Sequence, residues 1–163
     1  MPLWKDLLQL LLKVVFIAVA IAAVFTFVFG AYRVTDTSMS PSIKDGDLVL
    51  YYRLHTKLHA QDVVVLDYEG AATAGRIVAV AGDKVDITSD GLMVNGSHQV
   101  EQGIVQETTQ VSGGVTFPLT VPAGSVFVLG DNRGTAVDSR IFGCVPEHNI
   151  YGQVMGLFRR RGI

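Results

Sequence analysis

A single cysteine, Cys144, occurs in the 163 residues, so no disulfide can form within the chain. A framework of crosslinks is excluded, and the fold must be held by its core. Charged residues are scarce, at 17%, and acids nearly balance bases to a net charge of −2. That balance argues against a nucleic-acid-binding surface, and the one basic run, Arg159-Arg160-Arg161, reads as a solvated tail. Beyond residue 33 no helical periodicity of 3.6 appears, and no segment repeats. Histidine is sparse: His55 and His59 stand four apart, but no cysteine or glutamate-rich helix accompanies them. No metal site and no cofactor are expected.

What the chain does have is a long apolar run. Val14 to Tyr32 carries no charge and has the length needed to cross a bilayer core of about 30 Å as a helix. It exceeds the h-region of a cleavable signal and ends in Gly30-Ala31-Tyr32-Arg33, so it reads as a permanent anchor. Lys5 and Lys13 precede it and Arg33 alone follows closely. The bias places residues 1–13 in the cytoplasm, 14–32 in the bacterial cell membrane as a single pass, and 34–163 outside.

Residues 34–163 read as β. Short β-branched runs at Asp47–Tyr52, Asp62–Leu66, Arg76–Val80 and Ser125–Leu129 are separated by turn signals. Lys84–Ile87 and Leu92–Asn95 flank Ser-Asp90-Gly91, and Asn95-Gly96 follows at once, the signature of stacked hairpins. The Gly- and Thr-rich stretch 102–116 reads as loop. The expected class is mainly β, preceded by one transmembrane helix.

The chemistry-bearing residues form an ordered set. Thr35-Asp36-Thr37-Ser38-Met39-Ser40-Pro41 directly follows the anchor. Then come Arg76-Ile-Val-Ala-Val, Gly82-Asp83, Gly130-Asp131-Asn132-Arg133 and Asp138-Ser139-Arg140. A lone Ser-Met-x-Pro carries little weight, and Ser38 by itself would pass for a turn residue. In this order, behind one membrane span, the boxes resemble those of bacterial signal peptidase I, peptidase family S26.

The resemblance implies a β-rich domain on the membrane surface that binds the signal peptides of exported preproteins as an added strand, with small residues filling shallow pockets. It assigns Ser38 as nucleophile and places a general-base lysine at position 75, where this chain has Gly75. A buried lysine can serve as base because desolvation lowers its pKa, and glycine cannot substitute for it. The serine that would orient the lysine is replaced by Ala136. Asp36 stands where a glycine or an oxyanion-stabilising serine is usual, and it would either oppose the developing charge or simply face solvent from a turn. Arg76 and Asp138 match positions expected to form a supporting ion pair, and Met39, Pro41, Asp131, Asn132 and Arg140 complete the framework. Neither His98 nor His148 aligns with the base. Lys44 and Lys84 read as solvent-facing, and Lys57 is the remaining substitute. Two readings follow: a serine endopeptidase with impaired catalysis or an unconventional base, or a non-catalytic peptide-binding accessory protein, similar to the signal-peptidase-like proteins of pilus assembly, that holds exported proteins or pilin subunits.

Overall fold

The structure is a computed structural model and describes residues 3–54, 57–101, 103–104 and 106–159. It opens with helix α1, Leu3–Phe27. The helix is exposed on every side and apolar around its circumference, as a bilayer-embedded helix requires. Its 25 residues make a rod of about 37 Å, enough to span.

The apolar run expected to be helical from 14 to 32 is divided. Phe29–Arg33 is a strand, β1, paired antiparallel with β2, Leu48–Tyr52. The reason is tertiary: a Cβ on Gly30 would lie 2.2 Å from the ring of its strand partner Tyr51, so glycine lets β1 pass under that side chain without displacing it. The last apolar residues therefore join a sheet instead of prolonging the helix. The junction is stitched by Arg53 N–H donating to the Val28 carbonyl at 2.9 Å and by rings at Phe25, Phe29 and Tyr52, with neighbouring centroids 6.1 and 5.7 Å apart.

After β2 come β3, Val63–Tyr68, and the long β4, Ala71–Val80. A smaller set follows: β5, Lys84–Thr88; β6, Gly91–Val94; β7, Ser97–His98; and β8, Leu119–Thr120. The chain ends with β9, Ser125–Leu129; a single helical turn, α2, Ser139–Phe142; β10, Val145–Pro146; and β11, Ile150–Phe158. Two antiparallel sheets result, with orders β1-β2-β11-β3-β4-β9-β10 and β7-β6-β5-β8. The hairpin turn at Asn95-Gly96 has φ of 52° and 78°, the left-handed pair its sequence demands.

One apolar cluster joins the sheets through Val78, Phe127 and Leu129 on one and Val85, Ile87 and Leu92 on the other. β3 is buried on both faces, with Val65 in one cluster and Val64 and Leu66 in another, which is why it reads as a continuous apolar run without alternation. Arg159, expected in a solvated tail, instead reaches Asp47 at 3.3 Å and the Ser42 carbonyl at 3.1 Å. The buried Asp47 needs a counter-charge, and the end of β11 delivers one.

Candidate active site

Ser38 sits in the connection between β1 and β2. Its neighbour Met39 is buried among Val34, Val49 and Val65, and this plug fixes the serine's backbone. The chain after β9 grips the same point: Asn132 N–H donates to the Ser38 carbonyl at 2.9 Å, and the Asn132 side chain to the Thr37 carbonyl at 3.2 Å. Gly130 allows this approach, since a Cβ there would lie 2.3 Å from the Ala136 Cβ and 2.6 Å from the Ser38 carbonyl oxygen. Ala136 is thus buried against Gly130. Pro41 is exposed at the rim of the same loop.

Asp36 is half-buried and turns back onto Ser38. Its Oδ1 accepts the Ser38 backbone N–H at 2.8 Å and also the Ser38 hydroxyl in a short contact. The serine therefore has a carboxylate partner, and the amide that could cradle an oxyanion is already occupied by a negative oxygen.

Gly75 lies in the middle of β4, opposite Val64 of β3, and is buried. With Ser38, Leu66, Ala74, Val128 and Val137 it lines a gap of about 10 Å³, room for one water at most. A Cβ at 75 would lie 2.4 Å from Val128 Cγ1. A methyl of β9 has closed the space into which a side chain at this position would grow. Ser38 and Gly75 line the same gap, in which a side chain at 75 would first meet Val128.

The ion pair expected between Arg76 and Asp138 does not exist. Arg76 forms a bidentate pair with Asp131, at 2.8 and 2.7 Å, and that bond holds its guanidinium still more firmly protonated. Asp138 instead caps α2 and pairs with Arg140 at 2.9 Å through both oxygens, while also accepting the Gly130 N–H at 3.1 Å. Register explains the exchange: Arg76 lies opposite Leu129, two residues before Asp131, whereas Asp138 turns back to start the helix. Arg140 is almost wholly buried and also donates to the Arg133 carbonyl at 2.7 Å. Glu101 and Thr108, which no sequence pattern singles out, clamp the Arg133 guanidinium. Ser139, part of the Asp138-Ser139-Arg140 box, accepts the Val128 N–H on its hydroxyl at 2.9 Å and ties α2 to β9.

Of the alternative bases, Lys57 is exposed on the loop between β2 and β3, and His98 and His148 are exposed as well. His59 Nδ1 lies 3.7 Å from Asp62. His55 falls outside the described residues.

A model of the family described as signal peptidase, peptidase S26, matches residues 7–158. The chain belongs to the S26 signal peptidase family. Signal peptidase IB of Staphylococcus aureus (strain Mu50 / ATCC 700699) is 31% identical over 92% of this chain and 88% of its own length. Signal peptidase I of Bacillus licheniformis is 32% identical over 90% and 86%. The crystal structure of a signal peptidase I from Enterococcus faecalis V583 superposes with a TM-score of 0.54 at 29% identity, covering 61% of this chain and 98% of that one. The mainly β fold with one apolar N-terminal helix is thus that of a membrane-anchored signal peptidase relative, and a signal-peptidase-I-like function comes with it.

Proposed function

We propose that this S26 signal peptidase relative holds signal-peptide segments of exported proteins in the groove at Ser38, outside the membrane, with little or no turnover. The observation that carries the reading is the surroundings of Ser38: its hydroxyl is bonded to Asp36, and the gap towards Gly75 is closed by Val128. An amine base has neither a side chain nor room there. General-base catalysis contributes about 10²–10⁴ in rate, and loss of one member of a cooperating pair costs up to ~10⁶. The orientation, with residues 34–163 outside, rests on Lys5 and Lys13 ahead of the span.

The test pairs two measurements on the purified chain in detergent micelles. A fluorescent peptide with an Ala-x-Ala site binds, and it is cleaved far more slowly than by signal peptidase IB of Staphylococcus aureus. Cleavage at a comparable rate, abolished by Ser38→Ala, would show that a base operates and overturn the proposal. Absence of binding would remove the groove itself.

A further inference from the structure

The buried carboxylates Asp47, Asp131 and Asp138 each have an arginine, at positions 159, 76 and 140. Asp36, like the other half-buried aspartates Asp67, Asp83 and Asp86, has none among the described residues, but it alone of these lies against Ser38. It is half-buried, its Oδ1 is engaged by Ser38, and among the described residues no cation pairs with either oxygen. Its charge is felt nearby, since the Tyr32 hydroxyl is pushed up by burial first and by Asp36 second.

Asp36 also opens onto a cavity of about 200 Å³. That is the room of about six waters, on the same side as Ser38. The other walls are the hydroxyl-bearing Thr37, Ser38, Tyr68, Thr73 and Thr135 together with the apolar Val137, and no lysine, arginine or histidine lines it. A partly desolvated carboxylate whose neighbours are uncharged hydroxyls and one apolar side chain has no counter-charge of its own and leaves a place for a cation from outside. With Oδ1 already taken, a single oxygen is left. That geometry suits a compact ammonium with three rotatable donors better than the planar fork of a guanidinium, which prefers both oxygens.

Resting on the reading of this groove as a peptide site, we infer that Asp36 makes it selective for peptides that present a primary ammonium beside Ser38. The bound peptide supplies the positive charge that the cavity wall lacks. A lysine side chain within the bound segment and a free amino terminus share this chemistry, and the experiment separates them.

The full chain in detergent micelles is titrated with N-acetylated, C-amidated Ala-x-Ala peptides in which lysine or norleucine is placed in turn at each residue flanking the small-residue motif. A third set lacks lysine but has a free amino terminus. One lysine position binds about five- to tenfold tighter than its norleucine counterpart, as befits a half-buried ion pair. The ratio shrinks as salt is raised. In Asp36→Asn, which keeps the oxygen that accepts from Ser38, the ratio falls to near one, whereas exposed Asp90→Asn retains it. If the free amino terminus alone gives the advantage, and Asp36→Asn removes it, the ammonium is that of a chain end. Equal binding of lysine, norleucine and free-terminus peptides by the unaltered chain would overturn the inference while leaving the groove intact, and so would an advantage that survives Asp36→Asn. Failure of every peptide to bind would sink the groove reading and the inference with it.

Discussion

Restoring a lysine at position 75 tests how far the centre has been rebuilt, and the structure gives the cost. A Cβ there meets Val128 Cγ1 at 2.4 Å, so Gly75→Lys overpacks a site that holds only about 10 Å³ of free space. Overpacking costs about 1–3 kcal/mol, and removing a glycine from a strand interior returns about 0.5–1 kcal/mol. The net steric loss is therefore at most about 2.5 kcal/mol, before the ammonium is desolvated. Desolvation lowers the folded-state pKa of such a lysine below its unfolded value near 10.4. The folded state then binds its proton less tightly than the unfolded one, so the desolvation penalty is full below the folded-state pKa and fades as the pH rises from there towards the unfolded value. Val128→Ala alone removes two buried carbons, a transfer loss of about 1.6 kcal/mol plus a cavity term, about 2–3 kcal/mol in all. In the double variant the lysine stem occupies the space vacated by the valine methyls, so the two losses fall short of their sum by about 1–3 kcal/mol. Urea unfolding of the four proteins in micelles measures this coupling, and turnover of an Ala-x-Ala peptide reports any gain in function. Losses that add to within about 0.5 kcal/mol would refute the claim that Val128 fills the lysine's place.

Three further outcomes are expected. Asp36→Ser in the double variant, with Ala136→Ser, raises Ser38-dependent turnover by about 10²-fold, because it removes an opposing charge and supplies a hydroxyl donor; kcat/KM for one substrate decides it, and no gain in a folded protein refutes it. Arg76→Ala strands the buried Asp131 and destabilises by about 3 kcal/mol, the low end for a broken buried pair because Arg76 is partly exposed, and adding Asp131→Asn recovers part of the loss in urea unfolding. Burial pushes the Cys144 thiol up, so its alkylation by iodoacetamide is slower in the folded chain than in urea. With the folded pKa above the unfolded one, the associated stability is full below the unfolded value near 8.5 and is lost as the pH rises through the folded value.

Much of this was legible in the sequence, for reasons that differ by element. β2, β9 and the β5–β6 hairpin announce themselves through β-branched runs bounded by glycine and asparagine turns. β1 did not, because an uncharged apolar strand that continues an apolar helix has no boundary in hydropathy, and the Tyr51 ring over Gly30 is a tertiary fact. β11 was missed because its glycines and mixed polarity weaken any period of two. At the site, motif order brought Ser38 and Gly75 together, but the direction of the Asp36 carboxylate is a backbone-geometry question with two plausible answers. The Arg76 partner was misassigned because Asp131 and Asp138 are both aspartates downstream of β9, and only strand register distinguishes them. Val128 is one of five buried residues in a row, so nothing in its own neighbourhood marks the methyl that closes the slot.

The joint between α1 and β1 has a mechanical meaning. Only Val28 separates the last helical residue from the first residue of the sheet, and the Arg53 bonds and the aromatic rings bridge that single step. A tether of this kind has no slack: the height of Ser38 above the lipid, and the azimuth of its groove, follow whatever tilt the helix takes in the bilayer. On the proposed placement of residues 34–163 outside the membrane, any change in helix tilt would carry Ser38 with it instead of being absorbed by a linker.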